Sequence, residues 1–404
     1  MQMSVVRALT ATAALVFLSS CASGGTPASA PIPSARGNLA PLAVKTTTDS
    51  PDARGARIPR HYDVTDLGTG LLDSPGLAPG GVADDGTVVG TASGNLLGSL
   101  VSGVGTPRAF VFHDGSLRAL SPLPGDTLTF ADAINDRGTI VGGSGTDTTE
   151  RAAQWDSDGE VTSLGFGLPG SDNAEARGIS QRGEIVGVSS SATIGLLPTI
   201  FSLADGPSSA CGSASVRGFA NAVNERGLIV GQAQLPMGSS AAFVCSPFIA
   251  IETPPAPKER NFARSINNEG QIVGRFTLPS GPGVPTVPGG IFHGFFYENG
   301  VTTDMGTLSP NIPTSVSGSF AINNAGQAIG FSAESGARPG AKPVNPRAFI
   351  FARGQMVDLN ALIGAASKTW SLAIAESIND RGQIVGGGYI DGVEHGFLLS
   401  PSSE

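Results

Sequence analysis

Four histidines and three cysteines are the whole supply of soft ligands and strong nucleophiles in this 404-residue chain. Its candidate chemistry therefore lies mainly in repeated charges. A basic residue recurs at the head of a short tripeptide, at Arg108, Arg151, His293, Arg347 and His395. If these places are equivalent in a closed array they form a ring, and a ring of cations would hold an anion such as a carboxylated glycan or an acidic protein loop. The alternative is that each cation bonds a carboxylate or carbonyl of a neighbouring repeat. Asp156-Ser157-Asp158-Gly159 has the alternating carboxylates that open a calcium loop, yet no bidentate Glu follows at the usual distance, and Asp with Gly suits a plain hairpin turn. Cys211 and Cys245 fall in consecutive repeats and could form a disulfide across neighbouring units. The histidines (His61, His113, His293, His395) make no HExxH or comparable pair, and no GxSxG, phosphate loop or dinucleotide fingerprint stands out. No catalytic nucleophile, metal site or cofactor is assigned.

These charges need elements to position them, and the sequence repeats its elements. The segment AINDRGTIVG (133–142) recurs as GVADDGTVVG (81–90), GISQRGEIVG (178–187), AVNERGLIVG (222–231), SINNEGQIVG (265–274), AINNAGQAIG (321–330) and SINDRGQIVG (377–386). The apolar residue before each turn stands at 82, 134, 179, 223, 266, 322 and 378, so the spacings run 52, 45, 44, 43, 56 and 56. Periods of this size are those of propeller blades and similar arrays. Within each copy an Asn, Asp or Ser opens a type I turn, and a Gly (Gly86, Gly138, Gly183, Gly227, Gly270, Gly326, Gly382) closes it where a left-handed residue is needed. A second Gly, as at Gly142 and Gly386, implies close approach of a neighbouring strand. Asp132 and Glu376 stand two residues before the apolar marker of their copies, and Arg177 and Arg264 hold the same place in others. Acids and bases converging from different repeats are what a propeller enzyme would need, and these four are a thin basis for one.

A second hairpin follows each copy, as in RAFVFHDGSLRAL (108–120) and HGFFYENGVTTDM (293–305). Two hairpins make four strands, the content of one blade. In the degenerate copies at 198–210 and 241–253, Ile200 and Phe243 are expected at the first aromatic position. The seventh copy has only HGFLLS (395–400), and its missing half looks like YDVTDLG (62–68), whose Asp66-Leu67 matches Asp358-Leu359. Pairing first strand with last would close a ring and remove both sheet edges. The expected fold is therefore all-β, a seven-bladed β-propeller closed by its N- and C-terminal strands, with an open β-solenoid as the alternative. The INDxGxIVG segment followed by an xAFxF hairpin resembles the bacterial extracellular-repeat family named HAF, after a His-Ala-Phe triplet, over residues 62 to 399. That resemblance implies an exported protein and no particular activity.

The N-terminus reads as an address. Arg7 precedes an apolar run, Ala8 to Leu18, too short to cross a bilayer's roughly 30 Å core. The run ends in Leu18-Ser19-Ser20-Cys21, which resembles the lipobox of bacterial lipoproteins. The resemblance implies cleavage after residue 20, lipid on Cys21 and, with Ala22 following, the outer membrane. Residues 21–60 are rich in Pro, Ser and Ala, a lipid-anchored disordered tether reaching on the order of 35 Å as a flexible coil. The propeller would span 61–400, with a tail at 401–404. Charged residues are 14% of the chain, Gly numbers 57, and the net charge is −9 without a basic stripe, which suits short strands and argues against nucleic acid. The function expected is a binding or scaffold module at the cell envelope, monomeric, facing an envelope protein or glycan. Specificity would lie in the longer connections 91–107, 275–292 and 331–346. The rival is a polysaccharide-directed envelope hydrolase or lyase.

Overall fold

The computed structural model describes residues 57–71, 74–75, 77–92, 106–202, 206–210, 216–235, 239–245, 248–253, 260–278, 290–334 and 344–402. The seven-bladed propeller is what these residues build. Seven antiparallel sheets of four strands follow one another, and each is a simple meander from an inner strand outwards. The inner strands are Leu77–Val82, Leu128–Ile134, Asn173–Ile179, Gly218–Val223, Phe262–Ile266, Ser315–Ile322 and Trp370–Ile378. The last blade takes Tyr62–Gly68 as its outer strand, paired antiparallel with Val393–Pro401, with Asp66 opposite Phe397 as Asp358 is opposite Phe349. The closure read from YDVTDLG is thus the observed one, and the open solenoid is excluded. Two short 3-10 turns, Leu359–Leu362 and Gly364–Lys368, are the only helical pieces among the described residues.

The core lies between blades. Val89, Ala109 and Val111 of blade 1 pack with Ala131, Ile140, Ala153 and Trp155 of blade 2 in one buried cluster. Val230 and Ala242 of blade 4 pack likewise with Ala263, Ile272, Phe276 and Phe295 of blade 5. A single blade could not bury its faces alone, so the blades stabilise one another around the ring.

The repeated decapeptide turns out to be the fastener. In blade 2 the Asn135 N–H donates to the Thr139 carbonyl at 3.1 Å, and Asn135 Oδ1 accepts from Arg137 and Thr139 N–H at 3.1 and 3.0 Å. Its Nδ2 is then free to reach the next blade. Asn135, Asn224, Asn267, Asn323 and Asn379 each donate to the carbonyl at the same position one blade on, at 2.8–3.2 Å. Ala83 and Ser180 are too short to do so. A second ring is complete. The backbone N–H of Asp84, Asp136, Gln181, Glu225, Asn268, Asn324 and Asp380 each donates to the side-chain oxygen of the following member, and Asp380 returns to Asp84, at 2.5–3.1 Å. Twelve bonds of the motif, five in the first ring and seven in the second, therefore serve closure, each worth about 1 kcal/mol.

Candidate functional site

The two glycines of the motif have different tasks. The turn glycines all take positive φ, from 73° to 92°, as a residue closing this turn requires. The second glycines (Gly90, Gly142, Gly187, Gly231, Gly274, Gly330, Gly386) face a carbonyl of the inner strand so closely that a Cβ would collide with it. That carbonyl is pushed across because every inner strand carries a β-bulge at this level. The register skips between Pro79 and Gly81, Ala131 and Ala133, Ala176 and Gly178, Ala220 and Ala222, Ala263 and Ser265, Ser319 and Ala321, and Ala375 and Ser377. In blades 1, 4, 5 and 7 the ring of Phe110, Phe243, Phe295 or Phe397 lies against the glycine opposite the bulge. The aromatic of the tripeptide and the second Gly thus form one device.

A bulge re-aims the extra residue. Here the seven bulged residues, Gly80, Asp132, Arg177, Asn221, Arg264, Phe320 and Glu376, all line a single axial cavity of about 490 Å³, whose mouth is the hydrogen-bonded rim of Asp84, Asp136, Gln181, Glu225, Asn268, Asn324 and Asp380. The backbone device is sevenfold, but the side chains it delivers are not.

Part of the cavity floor is tied down. Arg177 Nη1 donates to Asn221 Oδ1 at 2.9 Å, its Nε and Nη2 reach Glu175 Oε2 at 3.3 Å, and its guanidinium lies 4.4 Å from the Phe219 centroid. Asn221 Nδ2 donates onward to the Ala263 carbonyl at 2.8 Å. Arg264 and Glu376 differ. Among the described residues neither has a hydrogen bond or ion pair, and Arg264 has only the Phe320 ring at 5.5 Å. Both are partly open to the bore, yet protein encloses them. Burial lowers Arg264 to about 10, helped by Arg177 and opposed by Glu376 and Glu175. Burial raises the Glu376 carboxyl to about 7, with Arg264 acting against the rise. Above the floor, on the side away from the rim, Arg275 is clamped between Phe262 and Phe292 at 4.6 and 4.7 Å, and burial with Arg264 and Arg260 lowers it to about 9. At the rim Asp84 is raised by burial and by Asp136.

The five basic residues of the tripeptide lie elsewhere. They sit on the third strand of their blades, two strands out from the channel, and none lines the cavity. Three pair with a carboxylate of their own outer strand: His293 Nδ1 with Asp304 at 2.9 Å, Arg347 Nη1 with Asp358 at 3.3 Å and His395 Nδ1 with Asp66 at 2.9 Å. Arg151 Nη2 pairs with Asp126 at 2.7 Å, in the connection entering its blade, and Arg108 holds the equivalent place in blade 1. Four of the five candidate ring residues thus stand beside a carboxylate. Two further positions are corrected or settled. Thr199, not Ile200, faces Gly187 as Phe243 faces Gly231, because the third strand of blade 3 is set one residue earlier. Asp156 Oδ1 accepts from Asp158 and Glu160 N–H at 3.0 and 2.9 Å, so this carboxylate is engaged in a turn like that of Asn135. Cys245 is buried and disulfide-bonded. Cys211, Cys21 and most of the connections 91–107, 275–292 and 331–346 lie outside the described residues.

Sequence reasoning placed Asp132, Arg177, Arg264 and Glu376 at equivalent positions but did not see that they meet at one floor. A polar residue inside an otherwise apolar strand, facing a glycine, was the available signal.

No family profile and no curated protein matches the sequence. Among solved structures, a puromycin hydrolase is 12% identical over 84% of this chain and 53% of its own, with a TM-score of 0.50. A puromycin-hydrolyzing peptidase of Mycobacterium tuberculosis is 12% identical over 81% of this chain and 51% of its own, also at 0.50. The chain thus spans about half the length of each. Virginiamycin B lyase from Staphylococcus aureus is 12% identical over 83% of this chain and 99% of its own, with a TM-score of 0.46. At such identities the likeness is one of fold.

Proposed function

We propose that this protein is an exported, lipid-anchored binding module of the cell envelope whose ligand site is the axial cavity. A propeller is well suited to a binding or scaffold role, since its closed ring holds convergent side chains on rigid strands. One observation carries the reading. The same bulge is built seven times, yet it delivers acidic, basic, amide, aromatic and glycine residues to one floor, and among the described residues Arg264 and Glu376 make no hydrogen bond. A disc serving only as a spacer needs no such divergence, because a repeated apolar residue would close the bore more stably. The Cys21 lipid and the tether would hold the disc near the outer membrane, where envelope proteins and glycans are its expected partners.

The test is retention of ligand by the full-length, lipidated protein. Wild type and an Arg264→Met/Glu376→Gln variant are purified from envelope extract, and the molecules released on denaturation are identified by mass spectrometry. A species retained by wild type and lost from the variant supports the channel site. Equal retention by both moves the site to the blade surfaces.

Glu376 also favours a second reading. A carboxyl held near neutrality on a cavity floor is poised for proton transfer, as a polysaccharide hydrolase or lyase requires. Polysaccharide that shortens when incubated with wild type, but not with Glu376→Gln, would replace the binding module by an enzyme.

A further inference from the structure

The cavity's charges narrow the chemistry of what it takes. This step rests on the channel being the ligand site. Seven carboxylates line the cavity, namely Asp84, Asp132, Asp136, Glu175, Glu225, Glu376 and Asp380, against two guanidiniums, Arg177 and Arg264. The excess is five acids (7 − 2), so a simple anion would enter against the field of the rim. A simple cation would suit the walls but would be repelled by Arg264, which Arg177 already crowds and which has no hydrogen-bonded acid of its own. Arg264 and Glu376, which have no hydrogen bond or ion pair among the described residues, come from blades 5 and 7, and the bulged residue of blade 6 between them is Phe320. Phe320 is the one aromatic among the bulged residues, and Arg264 already stands over its ring.

We propose that the floor binds a zwitterion of the α-amino-acid type. Its carboxylate is received by Arg264 and its ammonium by Glu376, and its side chain is left in the bore beside Phe320, whose ring is already engaged by Arg264 and by stacking on Phe331 at 5.7 Å. A guanidinium offers paired donors that match a carboxylate, and an ammonium beside a carboxylate in an enclosed site gains far more than it would in water. The remaining acids favour the ammonium end as it passes the rim. Arg177 stays out of the contact because Glu175 and Asn221 hold it. Glu376 is acted on by Arg264 from blade 5 and shares the cavity with Arg177 and Glu175 from blade 3 and Asp132 from blade 2, so at neutral pH the incoming ammonium is what shifts its balance towards the ionised form. Binding therefore releases a proton from Glu376 to solvent.

The experiment is calorimetry on the full-length protein with three matched probes: L-phenylalanine, N-acetyl-L-phenylalanine (no ammonium) and phenethylamine (no carboxylate). Phenylalanine should bind at least tenfold more tightly than either analogue. Arg264→Met should reduce it to the level of the amine, and Glu376→Gln to the level of the acetylated acid. Repeating wild-type titrations at pH 7 in buffers of different ionisation enthalpy should show net proton release, a readout that does not depend on any variant folding well. Tightest binding of the amine would make this a cation site, and tightest binding of the acid an anion site; either overturns the zwitterion. If no probe binds but an extract-derived ligand is still lost from the double variant, the channel remains the site and the ligand class is wrong. If nothing is retained by wild type either, the site itself is wrong.

Discussion

The rim and the floor of the channel are two levels of the same seven strands, separated by about one turn of chain, and they use repetition in opposite ways. At the rim, side chains as different as Asp84, Gln181 and Asn268 perform one act, accepting a backbone N–H from the preceding blade. Any residue with a side-chain carbonyl oxygen of suitable reach will do, so identity drifts while the bond stays. At the floor the backbone is what stays fixed, and the side chains range from Gly80 to Phe320 to Glu376. Redundancy at the rim closes the ring, and divergence at the floor gives it something to recognise. The most regular charges in the sequence, those of the tripeptide, follow the rim's pattern, since four of the five are paired with an Asp. Their Asp partners on the outer strand each receive both the basic residue and a local turn N–H, as Asp304 does from Gly306 at 2.7 Å.

The comparison breaks most severely if the bulge is removed. Gly386→Ala would drive a methyl into the Ile374 carbonyl and the Phe397 ring, neither of which can retreat from a packed inner strand. A loss of about 4 kcal/mol is expected, enough to leave little folded protein. Denaturant unfolding followed by tryptophan fluorescence measures it. A loss under about 1 kcal/mol would show that the bulge does not depend on the glycine.

Much of this frame was legible in the primary structure, for physical reasons that particular residues make plain. The turn glycines declare themselves because few other residues accept positive φ there, and the YDVTDLG closure declares itself because Asp66-Leu67 must do in the last blade what Asp358-Leu359 does in the sixth. The floor was legible only in part, since Asp132, Arg177, Arg264 and Glu376 share one position in the repeat but the sequence does not show which residue of a strand is bulged. Only the register shows that Arg264 and Glu376 leave the sheet for the axis. The shift from Ile200 to Thr199 has a similar cause. Blade 3 replaces the guiding aromatic with threonine, so no residue there marks its offset.

Removing one fastener should cost less than removing a bulge. Asn323 donates to the Asn379 carbonyl at 3.0 Å and to Gln327 Oε1 at 2.8 Å, and accepts from Gln327 N–H at 3.0 Å, all within a buried site. Asn323→Ala strands the buried Gln327 N–H and Oε1, while the Asn379 carbonyl keeps Gly382 N–H at 3.1 Å, and about 2–3 kcal/mol of stability should go with the loss. The same substitution at exposed Asn324 gives up the rim bond its Oδ1 accepts from Asn268 N–H at 2.8 Å and the one its Nδ2 donates to Asp380 at 2.6 Å, both in contact with water, and should cost roughly 1 kcal/mol. Equal losses would mean that burial does not separate the two rings.

The floor should respond to pH near neutrality through Glu376. Glu376 is raised in the folded protein to about 7 from an ordinary 4.5. Between those values the folded state holds a proton that the unfolded chain has released. Its penalty is absent below about pH 4.5, grows as pH rises and is complete above pH 7. The shift sets a ceiling of about 3 kcal/mol, and water in the bore lowers that to about 1–2. Glu376→Gln should therefore match wild type near pH 4.5 and exceed it at pH 8. Parallel stability curves for the two proteins would place Glu376 in free contact with solvent.

The mildest change sharpens the comparison by completing what the repeat leaves undone. Ser180 interrupts the inner ring of asparagines, since its Oγ caps its own turn by accepting from Glu184 N–H at 3.1 Å but cannot reach blade 4. Ser180→Asn keeps that cap, as Asn135 does towards Thr139, and adds a donor for the Asn224 carbonyl in the manner of Asn224 towards Asn267 at 2.9 Å. One added buried bond should raise stability by about 1 kcal/mol, read as a higher denaturation midpoint with an unchanged slope. A gain would mean the ring is a sum of like contacts in which blade 3 has merely lapsed. A loss would mean that the tight interior around Ser180 and its bulged neighbour Arg177 takes precedence, and that the divergence serving the floor extends into the fasteners beneath it.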